Sequence, residues 1–367
     1  MPADERTAGT PEYGVDPVPA YLEASTDRFS ADGLPVQEIR RAARNITSWD
    51  EWWPYWMDRA EQLEARAGFE LVSTRSQADL LILAMLAAHW AQFLHFHQTA
   101  EREIALRKKI RLYGRAAELL LPGPERVEVP FGQSSLPAWL RVPDSDPNEQ
   151  HPCVIYVGGL DAHKEDSHTF VELCLERGMA TFAFDGPGQG EARLLGLLLE
   201  KGDHLAISAC IDHLETLPNI DNRRIAVIGR SLGGFTGPRA AADDPRIKAL
   251  AVWGAMFDLS NYRTLPAPTR AGFRYVTGAE SDHDAMDRIS FIDMTGLGER
   301  IQCPTLIVHG SNDVLTPPSN AIRLASSIGE NCRLEIIPDS PHCNHDVSHL
   351  IRPKLADWLA TMLEDPE

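Results

Sequence analysis

The chain has 367 residues, 43% hydrophobic and 24% charged, a balance that supports a sizeable folded core and excludes a disordered or fibrous chain. A formal net charge of −18 argues against nucleic acid or an anionic membrane as partner, because phosphate recognition needs concentrated Lys and Arg. No stretch approaches the roughly 18 apolar residues of a membrane span, Met1–Arg6 starts no apolar signal core, and the six cysteines are scattered, so reduced thiols in a cytoplasm are expected.

Length alone allows either one large α/β domain with additions or two domains. Residues 1–30, rich in Pro, Gly, Asp, Glu and Thr, read as an extended or mobile arm. Residues 31–124 read as a helical module, with Trp49, Trp52, Trp53 and Trp56 at helical spacing and an apolar run from Leu80 to Phe96. For these tryptophans, core packing or a subunit contact is the simpler role than lining a pocket. His95 and His97 fall on different sides of any helix, so one at most can face a site. The basic run Arg102, Arg107, Lys108, Lys109 and Arg111 reads as a solvated helix face.

Pro122-Gly123-Pro124 ends the helical module, and residues 125–367 form a second pattern. Arg126–Phe131 and Pro137–Val142 read as two strands around a Gln133-Ser134-Ser135 turn. Further strands follow at Val154–Val157, Ala180–Phe184, Ile225–Ile228, Ala249–Trp253, Thr305–Val308 and Leu334–Ile337, separated by helical patterns. Continuous apolar strands alternating with helices give an α/β class with a mostly parallel sheet covered on both faces.

Ile225–Ile228 runs directly into Gly229-Arg230-Ser231-Leu232-Gly233, a strand followed by Gly-x-Ser-x-Gly. Glycine two places before and after the serine suits a turn so tight that a side chain would strike backbone, which lifts Ser231 to an exposed apex. Gly237-Pro238 then falls inside the next helix, where proline should kink it. A serine hydroxyl near neutral pH needs a base and an orienting carboxylate, in the chain order Ser, Asp or Glu, His for this kind of sheet. Asp313, after the Thr305–Val308 strand, is the carboxylate candidate; a turn or helix-capping aspartate is the alternative. Among His342, His345 and His349, only His342 sits in the loop directly after the last strand, while His349 looks like helix surface. A His-x-x-His metal pair is the rival for His342 and His345, and we expect no metal. The backbone N–H groups of Leu232 and Leu160 are the candidate oxyanion donors, with Gly159 letting substrate approach. The glycine-rich Phe184–Glu191 stretch has neither the dinucleotide nor the P-loop pattern, so no nucleotide cofactor is expected; it shapes the upper edge of the sheet.

Four segments together, Gly158–Asp166, Phe184–Glu191, Gly229–Gly234 and Pro341-His342-Cys343, resemble the α/β-hydrolase family that includes 2,6-dihydroxypseudooxynicotine hydrolase and the FrsA-like esterases. Fungal polyketide-shortening hydrolases are similar. The resemblance implies the α/β-hydrolase fold with an N-terminal helical cap that can join subunits into a homodimer. It also implies the triad Ser231, Asp313 and His342, and hydrolysis of carbon–carbon bonds next to a ketone as well as of esters. One departure stands out: the additional site glutamate of the nicotine-pathway enzyme has no clear counterpart after the Ala249–Trp253 strand, where Asp258 is the nearest carboxylate. The reading is a serine-nucleophile hydrolase for a small ketone- or ester-containing molecule. An ordinary carboxylesterase or lactonase, a biosynthetic cyclase or acyltransferase, and a non-catalytic binding protein are the alternatives.

Overall fold

The structure, a computed structural model, describes residues 17–69, 72–96, 99–144 and 149–364. The chain divides into two units, residues 1–120 with 266–275, and residues 121–265 with 276–367.

The first unit is helical: α1 (Val18–Ala24), α2 (Thr26–Ala31), α3 (Val36–Asn45), α4 (Trp52–Ala67), α5 (Thr74–Gln92) and α6 (Thr99–Ala117). α1 and α2 correct the expectation of an extended arm over 1–30, whose first sixteen residues lie outside those described. Val18, Leu22 and Phe29 are fully buried, and that apolar burial outweighs a polar composition. Phe29 stacks on Trp90 with ring centroids 3.7 Å apart, and Trp52 donates from its indole N–H to the Trp90 carbonyl at 2.7 Å. Trp52 and Trp56 are therefore core residues.

The basic run of α6 is only half solvated. Arg111 and Lys108 pair with Glu64 and Glu61 of α4 at 2.6 and 3.2 Å. Arg102 and Lys109, in contrast, are buried. The Arg102 guanidinium lies over the rings of Phe96 and Tyr275 and donates to the Gln92 carbonyl, while Lys109 Nζ is 3.4 Å from His89 Nδ1. Face-on aromatic contact and a carbonyl acceptor make this burial tolerable for a guanidinium. His95 is buried too, and His97 lies outside the described residues.

The second unit carries an eight-stranded sheet: β1 (Glu125–Phe131), β2 (Ser134–Arg141), β3 (His151–Val157), β4 (Ala180–Phe184), β5 (Ile220–Arg230), β6 (Ile247–Trp253), β7 (Thr305–Gly310) and β8 (Cys332–Ile337). Their order is β1-β2-β4-β3-β5-β6-β7-β8, antiparallel across β1-β2 and β2-β4 and parallel elsewhere. All eight strands stand where the apolar runs placed them. The β1-β2 turn falls at Gly132-Gln133, one step before the expected place, because Ser134 already pairs with Phe131 and Gly132 takes a φ of 59°. The α-helices that follow α6 in chain order are α7 (His168–Leu175), α8 (Gly190–Leu194), α9 (Leu205–Leu214), α10 (Gly233–Asp243), α11 (Ala267–Thr277), α12 (Asp282–Arg288), α13 (Ser319–Ile328) and α14 (Ser348–Met362). Most of α11 falls in the first unit, inside the span that the sequence reading gave wholly to residues 125–367.

The centre of the sheet is the core: Val154, Tyr156, Ala226, Ile228, Ala249, Ala251, Leu306 and Val308 interlock with Leu355 and Leu359 of α14. α10 continues across Pro238. The carbonyl that proline cannot serve, that of Gly234, accepts instead from the Met256 N–H at 3.4 Å, which relieves the lost helix bond. Among the described residues, no helix is long and apolar enough to cross a membrane.

Candidate active site

Parallel strands gather their carboxyl ends along one edge, and loops there can meet although they are far apart in sequence. Four such loops meet here, after β3, β5, β7 and β8.

After β5 the chain turns so sharply that Ser231 adopts a φ of 58°, a left-handed conformation that costs a non-glycine residue on the order of 1–2 kcal/mol. Its N–H donates to the Trp253 carbonyl at 2.9 Å. The flanking glycines are sterically required. A Cβ on Gly229 would lie 2.0 Å from the Gly233 carbonyl oxygen, and one on Gly233 would lie 2.3 Å from that of Val157.

After β7, the Asp313 carboxylate is fixed on both oxygens. Oδ1 accepts from the Leu315 and Thr316 N–H groups, each at 2.9 Å, and Oδ2 accepts from the Thr316 hydroxyl at 2.9 Å. After β8, Cys343 and Asn344 take positive φ values in a tight turn that presents His342. Its Nδ1 lies 2.6 Å from Asp313 Oδ2 and its Nε2 lies 2.8 Å from Ser231 Oγ. The structure thus brings Ser231, His342 and Asp313 into one hydrogen-bonded line.

Both ring nitrogens of His342 are engaged, so the His-x-x-His metal alternative loses its first ligand. Asp346, a further oxygen donor in this loop, accepts from the Ser340 hydroxyl, and His349 is exposed on α14, as its surface reading requires. Burial alone would raise the Asp313 pKa, but the adjoining His342 and the Thr316 N–H hold it below the usual carboxylate value. Burial disfavours a charged His342 ring, yet Cys343 and Asp313 beside it hold its pKa above the ordinary value. The pair therefore favours the imidazolium that forms when a serine hydroxyl gives up its proton.

Behind Asp313 stands His309, fully buried. Its Nδ1 accepts from the Ala255 N–H at 3.0 Å, which places the proton on Nε2, donated to the Thr316 carbonyl at 2.7 Å and 3.3 Å from Asp313 Oδ2. Burial lowers its pKa, in the direction of the neutral ring that the Ala255 N–H requires. His309 escaped the sequence reading although its place, four residues before Asp313, was a usable signal.

The loop after β3 passes beside the serine. A Cβ on Gly159 would sit 3.0 Å from Ser231 Cβ and 3.5 Å from its Oγ, so a side chain there would crowd the Ser231 hydroxyl. Among the described residues no acceptor takes the N–H of Leu160 or of Leu232. Both belong to loops that border Ser231, the one after β3 and the one after β5. The loop is braced from the glycine-rich turn after β4, where Gln189 donates to the carbonyls of Gly158 and Gly159 at 3.0 and 2.7 Å. Lys164, fully buried, adds a charged brace: its Nζ lies 2.8 Å from Asp185, 2.9 Å from Glu165 and 3.0 Å from Glu191. Nothing local in the sequence shows that Gln189 reaches residues some thirty positions away.

Asp258 stands apart from this line. Its carboxylate accepts from the Ser260 N–H at 2.9 Å and pairs with Arg323, and it borders a cavity of about 280 Å³ with Tyr262, Met286, Ile289 and Asp293, where no lining residue belongs to the Ser231 line. Burial pushes its pKa up, but the hydrogen bonds from Ser260 and Arg323 outweigh this and keep it ionised.

Against known proteins, the model of the FrsA-like esterases matches residues 49–363. The chain is 35% identical over 344 residues to the 2,6-dihydropseudooxynicotine hydrolase of Paenarthrobacter nicotinovorans, covering 92% of this chain and 91% of that one. The crystal structure of 2,6-dihydroxy-pseudo-oxynicotine hydrolase superposes with a TM-score of 0.85 at 33% identity, over 92% of this chain and 96% of the other. A 20-hydroxy-prefusarin hydrolase of Gibberella moniliformis is 27% identical over 339 residues, 79% of this chain and 81% of the relative.

Proposed function

The chain belongs to the FrsA-like esterase family and is an α/β-hydrolase enzyme, and from that premise we propose that Ser231 is its nucleophile, His342 the general base and Asp313 the group that orients and supports the base. The observation that carries this reading is the unbroken line Asp313 Oδ2 to His342 Nδ1 at 2.6 Å and His342 Nε2 to Ser231 Oγ at 2.8 Å.

His342 takes the Ser231 proton as Oγ attacks a carbonyl of a small substrate, whose oxyanion is received by the N–H groups of Leu232 and Leu160. For a ketone substrate the bond between the carbonyl carbon and its neighbour breaks, and the electron pair leaves on carbon. Asp258 is ionised, tied to Arg323 and turned to another cavity, so it is unfit to protonate that carbanion. The proton therefore comes back from His342 Nε2, and water releases the acyl group as an acid. For an ester the same steps expel an alkoxide, which the family's esterase description supports as the second reading.

A product screen of aryl β-diketones against aryl esters, with wild type and Ser231→Ala, tests both levels. We expect both classes to be cleaved by wild type and neither by Ser231→Ala. Cleavage of esters alone would refute the carbon–carbon reading, and turnover that survives Ser231→Ala would refute the nucleophile.

A further inference from the structure

We infer that Gln189 is a positioning residue of the oxyanion site, locking the Gly159–Leu160 peptide in the orientation that turns the Leu160 N–H toward the substrate; this rests on the proposed roles of Ser231 and Leu160. A trans peptide is planar, so its C=O and N–H point in opposite directions. Whatever grips the Gly159 carbonyl thereby aims the Leu160 N–H. Gln189 Nε2 grips that carbonyl at 2.7 Å, much closer than the local Ala162 N–H at 3.4 Å, and grips the preceding Gly158 carbonyl at 3.0 Å, using both amide hydrogens.

The grip has a reason to exist. Residue 159 is glycine, so the torsion on the near side of this peptide meets no side chain, and the peptide can turn at reduced steric cost to present a carbonyl oxygen where the N–H should be. A larger residue at 159 would stiffen it only by pressing on Ser231, since its Cβ would lie 3.0 Å from Ser231 Cβ. The site thus needs a flexible residue and an external clamp. The clamp is itself oriented: Gln189 Oε1 accepts from the Gly186 N–H at 3.0 Å, which forces the NH2 end toward the two carbonyls. The turn bearing Gln189 is held in turn by Asp185, whose Oδ1 accepts from the Lys164 N–H and whose Oδ2 accepts from Lys164 Nζ, each at 2.8 Å, and Lys164 belongs to the same segment as Leu160.

The test uses Gln189→Met, similar in length and without donors, and Gln189→Glu, the same shape with oxygen facing oxygen. Steady-state kinetics on the aryl ester hydrolysed by wild type are measured with melting temperatures. We expect kcat to fall about 10- to 100-fold with KM within about threefold of wild type, a fraction of the 10²- to 10³-fold that loss of a whole oxyanion donor costs, and Gln189→Glu to be the slower. Rates within twofold of wild type, a loss carried by KM alone, or unfolding of both variants at the assay temperature would overturn the inference, the last by making Gln189 a strut of the fold. Activity persisting in Ser231→Ala would instead refute the nucleophile, and the two failures are read from different proteins.

Discussion

Asp313→Asn is the perturbation whose outcome the geometry fixes most tightly. In the wild type, Asp313 Oδ1 accepts from two N–H groups, those of Leu315 and Thr316. An asparagine must keep its carbonyl oxygen there, since an NH2 at that point would face two donors. Its NH2 then occupies the place of Oδ2, against the Thr316 hydroxyl, which can rotate to accept, and against His342 Nδ1 at 2.6 Å. A donor facing Nδ1 drives the imidazole to the tautomer protonated on Nε2, which points at Ser231 Oγ and cannot remove its proton. Loss of a correctly tautomerised base costs about 10⁴-fold in kcat in serine hydrolases, or roughly 5 kcal/mol at 1.36 kcal/mol per decade. The expected result is a kcat reduced about 10³- to 10⁴-fold on an aryl ester, with an unchanged fold by circular dichroism and a KM near wild type. A kcat within tenfold of wild type would refute the assignment of Asp313 and the tautomer argument with it.

Two further predictions concern pH. Since His342 must be neutral to accept the Ser231 proton and its pKa lies above the ordinary 6.5, kcat/KM should rise with pH through a midpoint above 6.5; a midpoint below 6.5 in a pH–rate profile would contradict it. Asp203, buried with its carboxylate on the Thr236 hydroxyl and the His204 N–H, has a pKa pushed up to about 6 by desolvation. A raised pKa means that stability is full below the unfolded value of 3.8 and is lost as pH rises through about 6. Asp203→Asn should therefore raise the melting temperature by several degrees at pH 8, up to on the order of 3 kcal/mol from about two units at 1.36 kcal/mol each, and leave it nearly unchanged at pH 4; equal effects at both values would sink the argument.

What could be read in the sequence was what chemistry writes locally. The strands carried continuous apolar runs, and Ser231 was marked by glycines whose absent side chains are required by contacts of 2.0 and 2.3 Å. Distance in sequence hid the rest. Gln189 acts through the carbonyls of Gly158 and Gly159, and its own neighbourhood reads only as a glycine-rich turn. α1 and α2 are too short to show a period, and their burial depends on partners such as Trp90 that lie far along the chain. Pro238 suggested a kinked helix because the donor that relieves it, Met256, belongs to another element. Asp258 was the nearest carboxylate by position, but Arg323, sixty-five residues on, claims its charge.

The proposed chemistry stands or falls with attack by Ser231 on the substrate. Treating the wild type and Ser231→Ala with an aryl fluorophosphonate, followed by peptide mass spectrometry, reads this directly. The expected result is stoichiometric phosphonylation of Ser231, loss of activity in step with labelling, and no adduct in Ser231→Ala. Full activity alongside a fully labelled Ser231, or equal labelling of the alanine variant at another residue with the same loss of activity, would contradict it.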